Sequence, residues 1–237
     1  NSNNYGRKAT EQNLKAVRSK SQKYKTRMIQ FISRMLFIFC LVIAVTGVSA
    51  GFGMVKGIID NAPEIDPNSF GPSGFATKVY DSAGNLTDTL VMEGSNREAA
   101  TYEELPQDLI DAFVAIEDSR FWTHNGIDLR SISRAAVGVL TGENRGGGST
   151  ITQQLIKNNM FNGGMETSFG AKLERKLQEQ YLALQLTKSM DRKLILTNYL
   201  NTINLGNNAL GVKVAARRYF NKDVSDLTLS GCTVIAG

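Results

Sequence analysis

One histidine, two cysteines and one tryptophan in 237 residues leave little material for metal or redox chemistry. His124 stands alone, so neither a His-built metal site nor a Ser/His/Asp set can be assembled around it; a hydrogen-bonded structural role fits it better. Cys40 lies inside an apolar run and Cys232 near the far end, with no disulfide framework and no ligand spacing between them. No GxGxxG follows a strand pattern and no P-loop occurs, which argues against a nucleotide-binding sheet. No internal repeat is visible. Proline is scarce as well, and three of the four (Pro63, Pro67, Pro72) crowd into 61–74 with Gly71 and Gly74, as a linker would.

Charge is missing from Met35 to Val55, a run bounded by Arg34 and Lys56. As a helix it would span about 31 Å, close to a bilayer core. A cleaved signal peptide ending at Val48-Ser49-Ala50 is the competing reading. The 34-residue leader and the apolar residues beyond Ala50 favour a retained anchor. The overall net charge of +5 is uneven. Residues 1–34 hold nine Lys or Arg and one acid, so the remainder carries −3. Basic residues on one flank put that flank in the cytoplasm. Residues 1–27 read as disordered or loosely helical and attracted to anionic lipid. No aromatic–basic interleaving follows the tail, so nucleic acid is not an expected partner. The expected organisation is a basic cytoplasmic tail (1–34), a transmembrane helix (35–55), a Pro/Gly linker (56–77) and an extracytoplasmic domain (78–237).

The domain opens with a hairpin signal. Lys78-Val79-Tyr80 and Leu86 to Met92 flank Asp81-Ser-Ala-Gly-Asn85. Helical periods then take over. Pro106 suits a first helical position, with Leu109, Phe113 and Ile116 behind it. Asp128 caps a second helix whose stripe is Ile132, Ala135, Ala136, Val139 and Leu140, and Gly142 ends it. Thr150 and Gln153 have capping-box spacing for a third. After a break at Asn162-Gly163-Gly164, a long helix covers Leu173 to Leu186. Asp191 starts another, closed by Gly206. Ala209 to Phe220 makes a sixth, and Ser225 opens a seventh.

The chemistry concentrates between Ala112 and Leu155. Glu117-Asp118 is a carboxylate pair at a helix end, where partial burial and a like charge suit proton transfer. Alone it is an ordinary surface acid. Gly146-Gly147-Gly148 opens into Ser149-Thr150 at a helix start, where free N–H groups favour an anion; alone it is a flexible turn. Lys157 lies two turns on. Arg175 and Glu179, four apart, share a face with Lys176 adjacent. That is either a surface pair or a second carboxylate held among cations. Two opposed carboxylates suit chemistry at a sugar's anomeric carbon. Met160, Phe161, Met165 and Phe169, set among glycines, read as core or as a loop that dips into lipid.

In order, these motifs resemble glycosyltransferase family 51, the peptidoglycan glycosyltransferase domain of class A penicillin-binding proteins and their monofunctional relatives. The resemblance covers about Glu104 to Gly237. It rests on Glu117-Asp118-x-x-Phe121-x-x-His124-x-Gly126, then Gly147-Gly148-Ser149-Thr150-Ile151-Thr152-Gln153-Gln154-Leu155 with Lys157, then Arg175-Lys176-x-x-Glu179. Lys193-x-Ile195-Leu196-x-x-Tyr199-Leu200-Asn201 follows, and last Ala215-Ala216 with Tyr219-Phe220. It implies a mainly α, lysozyme-like domain with a small β-hairpin and a smaller jaw near the membrane. It implies lipid II and lipid-linked glycan as substrates, and cell-wall assembly proteins as further partners. Glu117 matches the general base, acting on the acceptor's 4-hydroxyl while undecaprenyl pyrophosphate leaves with inversion. Glu179 matches the second acid, which supports the pyrophosphate directly or through a divalent metal (Mg or Mn), with no organic cofactor. Lys157, Arg175 and Lys176 match phosphate-facing positions. Asp118, Phe121, Gly148, Ser149, Thr150, Gln153, Gln154 and Asn201 complete the matched substrate site. Thr197 and Gly231 stand where the family often has acids, and local packing is expected to differ there. The spacing before Arg175 also departs and leaves Lys172 as candidate for a further phosphate-binding cation. A lytic muramidase-type enzyme needs no phosphate site, and a non-catalytic scaffold predicts loss of a carboxylate; the cationic third motif and the presence of both acids weigh against them.

Overall fold

A computed structural model describes residues 3–72, 74–75, 77–90, 96–143, 147–161 and 163–237. Gly146, Asn162, the Val91-Met92 end of the expected second strand and the first two residues of the tail lie outside them. Contacts divide the chain into two units, Asn1–Gly57 and Ile58–Gly237.

The first unit is one helix. Helix α1 runs Asn3–Asp60, so the expected disordered or loosely helical tail continues the apolar segment without a break. Between Gln22 and Asp60 it is long and apolar enough to cross a membrane. Mean hydropathy reaches 2.4 in its most apolar part, and none of that part is buried.

The second unit is mostly helical with one small antiparallel sheet. Strands β1 (Thr77–Tyr80) and β2 (Leu86–Leu90) pair around a turn that Asp81 organises. Its carboxylate accepts from Ala83 N, Asn85 N and the Asn85 amide, while Gly84 takes φ +85°. The helices α2 (Gln107–Glu117), α3 (Leu129–Thr141), α4 (Ile151–Met160), α5 (Phe169–Ser189), α6 (Arg192–Thr202), α7 (Val212–Phe220) and α8 (Leu229–Ala236) follow.

Most begin on side-chain caps. Asp128, Thr150, Ser168, Asp191 and Thr228 each accept a backbone N–H from the first turn. Ser168 starts α5 four residues ahead of the expected Leu173, because an N-cap outweighs the polar start of its pattern. Helix α6 stops at Thr202 rather than Gly206, and α7 starts at Val212. Gly211, at φ +86°, makes the turn there, where a Cβ would lie 2.8 Å from Asn201 O. The residues at Ser225 form only a 3-10 turn; α8 starts after Thr228.

Helix α4 packs against both α5 and α6, and α2 against α8. Ile151, Leu155 and Ile156 of α4 meet Leu182, Ala183 and Leu186 of α5 and Ile195, Leu196 and Leu200 of α6 in a core that is fully or almost fully closed to solvent. Each such leucine or isoleucine contributes about 1.5–3 kcal/mol on burial. The stripe expected on α3 is not buried in this way. Ile132 and Ala135 are half-buried, but Val139 and Leu140 are 83% and 86% exposed. The α3 surface that meets protein is set by Gly138 and by the close approach of Gly148, whose Cβ would lie 3.2 Å from that of Ala135.

Candidate active site

The last residue of α2, Glu117, stays half-exposed because Leu109, Ile110, Phe113 and Val114 claim the buried face of that helix. The next residue turns inward. The Asp118 carboxylate accepts Ile151 N at 3.0 Å, at the start of α4, and His124 Nε2 at 2.9 Å. A carboxylate at a helix N-terminus meets free N–H donors and the favourable end of the dipole. Gly126 N donates to His124 Nδ1, which places the imidazole proton on Nε2, facing Asp118. The lone histidine is therefore a structural link, as expected.

Thr150 ties the same two segments together a second time. Its hydroxyl donates to Gly126 O at 2.7 Å and accepts Gln153 N, and Gln153 Oε1 accepts Thr150 N. Gly126 itself sits at φ +94° against α5, where a Cβ would lie 2.2 Å from Ala183 O. The outcome is register. Gln154, on the first turn of α4, donates its amide to Glu117 Oε2 at 2.7 Å, and Tyr199 of α6 donates to Gln154 Oε1 at 3.1 Å.

Glu117 opens onto a cavity of about 400 Å³ that also meets Ser119, Ser131, Arg134, Ser149 and Gln154. Ser149 Oγ accepts Lys176 Nζ at 3.0 Å, and Lys176 also reaches Glu179 Oε2 at 2.7 Å. The other Glu179 oxygen accepts from Arg175, whose Nε donates to Glu166 Oε2 at 2.7 Å. Burial alone would lower the Arg175 pKa, but the bonds from Glu166 and Glu179 outweigh it and raise it. Gly164, at φ +81°, leaves room for that guanidinium, which would lie 2.9 Å from a Cβ.

Several expected site residues bond within the fold, Asp118 among them although it also lines the cavity. Asp118, Gln153 and Thr150 are buried and spend their polar groups on the α4 start. Phe121 is 1% exposed and packs edge-on with Trp122. Asn201 is 2% exposed, with its amide bonded to both N and O of Ala100. Arg175 is buried between two carboxylates, so it does not face the cavity as a free cation. Glu179 is closed to solvent with both oxygens spent on cations. A divalent ion there would have to displace Arg175 or Lys176. No group of three His, Cys, Asp or Glu able to hold a metal exists among the described residues, so this donor set does not fit one. Ser149 and Gln154 do line the cavity, Gly148 precedes Ser149 and Lys176 bonds it, and Lys157 lies three residues on from Gln154, on the same side of α4. Lys172 is exposed on the first turn of α5.

Two contributors escaped the sequence reading. Arg134 shares a face of α3 with Ser131, three residues back, and the Asp128 cap was the signal that could have placed it. Glu166 lies in an irregular loop, and no local pattern announces its pairing with Arg175. Tyr199 was matched only as a motif position.

The Transglycosylase family matches residues 83–237. Penicillin-binding protein 1A of Clostridium novyi (strain NT) is 42% identical over 193 residues, 78% of this chain and 22% of that protein. Penicillin-binding protein 1A of Clostridium perfringens (strain 13 / Type A) is 39% identical over 222 residues, 92% of this chain and 32% of that protein. The protein of the same name from Aquifex aeolicus (strain VF5) is 43% identical over 162 residues, 68% of this chain. The chain spans about a fifth to a third of the length of these relatives.

Proposed function

The chain belongs to the Transglycosylase family, glycosyltransferase family 51, and on that premise we propose that it polymerises lipid II into glycan strands. The single observation that carries this reading is the cavity lined by both Glu117 and Ser149, with Ser149 bonded to Lys176 and Lys176 to Glu179.

Glu117 takes the proton from the acceptor sugar's 4-hydroxyl. The oxygen attacks the donor's anomeric carbon from the face opposite the pyrophosphate, the configuration inverts, and undecaprenyl pyrophosphate leaves. A pyrophosphate leaving group needs cationic stabilisation and no protonating acid. Lys176 and Lys157 supply it, with Arg134 a third cation at the cavity. Glu179 acts through Lys176, whose amine it holds beside Ser149. No step is routed through a metal ion. Helix α1 crosses the membrane with its basic end in the cytoplasm, which leaves the domain on the lipid II side. The exposed Met165 and Phe169 then dip into the lipid surface.

The test is polymerisation of labelled lipid II by the full chain in detergent, beside Glu117→Gln. Glycan chains from the wild type and at least a thousandfold less from the variant are expected, about the loss of a general base plus its charge. A wild type that binds lipid II without polymerising it, or that cleaves finished peptidoglycan instead, would sink the reading.

A further inference from the structure

We infer that Tyr199 is a positioning residue for this reaction: its phenol fixes the Gln154 amide, and that amide fixes the Glu117 carboxylate. The inference rests on the reaction proposed above.

Three helices contribute one residue each. Tyr199 comes from the third turn of α6, Gln154 from the first turn of α4 and Glu117 from the end of α2. The Tyr199 ring is 2% exposed and stands edge-on to Phe113 of α2, with centroids 6.3 Å apart and planes at 84°. Packing therefore fixes where its hydroxyl points. That hydroxyl lies 3.1 Å from Gln154 Oε1, and Gln154 Nε2 lies 2.7 Å from Glu117 Oε2.

Donor and acceptor chemistry permits one orientation. An ionised carboxylate only accepts, so the amide nitrogen must face Glu117. The amide oxygen is then left to Tyr199, which must donate. Burial and the nearby Glu117 charge both push the phenol's pKa up, so it keeps its proton and stays a donor. Gln154 by itself is half-buried at the cavity edge, on a flexible side chain. Without the phenol its carbonyl would lose its partner and turn to water, taking the amide off Glu117. A general base displaced by a fraction of an ångström loses rate without losing substrate affinity.

The test is a kinetic cycle on the full chain with fluorescent lipid II in detergent. Tyr199→Phe keeps the ring and its packing and removes one hydroxyl. It should lower kcat about tenfold while KM stays within about twofold. In a Gln154→Ala background the same substitution should change kcat by less than about twofold, because the lever it works through is gone. An equal loss in both backgrounds, or a rise in KM with kcat unchanged, overturns the inference. The Gln154 side-chain NH₂ resonances give a readout independent of turnover. They should be shifted and slow to exchange in the wild type, and collapse toward free-glutamine values in Tyr199→Phe. Free-glutamine values already in the wild type would overturn the clamp. An inert wild type with a protected amide would instead overturn the proposed reaction.

Discussion

Asp118→Asn tests whether the first and second motifs are held in register by one buried carboxylate. The wild-type group is 6% exposed and accepts from His124 Nε2 and from Ile151 N, at 2.9 and 3.0 Å. Hydrogen bonds to a charged group are worth about 1.5–3 kcal/mol each. Asparagine keeps one oxygen, good for about 1 kcal/mol with one donor, and turns its NH₂ toward the other. The expected net loss is about 3 kcal/mol. For a unit the size of Ile58–Gly237, that lowers Tm by about 6–12 °C. Activity should fall further than stability explains. Glu117 and Gln154 flank the broken link, and their 2.7 Å bond depends on where α4 begins. Measured well below Tm, kcat should drop about tenfold or more. Calorimetry and lipid II turnover on Asp118→Asn, His124→Ala and the double variant read both effects. The double variant should lose at least about 1 kcal/mol less than the sum of the singles, since both remove the same contact. Strict additivity, or a Tm within about 2 °C of wild type, would refute the argument.

Other consequences are quicker to check. Gly126→Ala should cost at least about 3 kcal/mol, because its Cβ would meet Ala183 O at 2.2 Å; Gly142→Ala, also at positive φ but facing open space, should cost only about 1 kcal/mol by chemical denaturation. Glu179→Gln strands Lys176 and half of Arg175's pairing; since Arg175 keeps Glu166, the expected loss is about 2–4 kcal/mol, below that for a fully orphaned charge. Burial raises the Asp128 pKa, but the bonds from Arg120, Ser131 and Arg130 N outweigh it and hold the group at about 2. Its folded value is depressed, so its stabilisation is full above about pH 4 and fades as pH falls toward 2; Asp128→Asn should flatten Tm against pH in that window. Val139→Ser with Leu140→Ser should leave Tm within about 2 °C, because both side chains are already more than four-fifths exposed.

What was legible in the sequence was local. Caps at Asp128, Thr150 and Asp191, the glycine stop at Gly142 and the hairpin around Asp81 all act within a few residues, and each appears where its chemistry requires. The apolar run in α1 was legible for the same reason, though not that the helix continues back through the basic tail to Asn3. Contacts were not legible where a residue's partner is distant in sequence. Asn201 and Asp118 sit inside motifs that resemble a substrate site. Their backbone partners, 101 and 33 residues away, are contacts the motifs do not announce. The α3 stripe failed differently. Periodicity says that one face differs from the other, and it does not say what covers that face. Here protein covers Gly138 and partly Ser131, Ile132 and Ala135, while Val139 and Leu140 face outward.

The buried ion network shows why function and stability separate in this site. The Arg175–Glu179 pair is costly to assemble, since both charges leave water and two apolar substitutes of equal volume would hold the helix at least as well. What such substitutes could not do is hold Lys176 beside Ser149. Its side chain is 39% exposed, with the amine bonded to both Glu179 and Ser149. A flexible lysine left free would spread its charge over many rotamers. Tied at two points, it offers a fixed positive end where a phosphate would gather charge. Replacing Arg175 by Met together with Glu179 by Leu should therefore hold Tm within about 3 °C, because a well-packed apolar pair substitutes for a buried ionic one. The same double variant should still polymerise lipid II at least about tenfold more slowly, through a lower kcat. Recovery of both stability and rate would mean that Lys176 needs no second anchor, and that the buried carboxylate contributes nothing to the reaction.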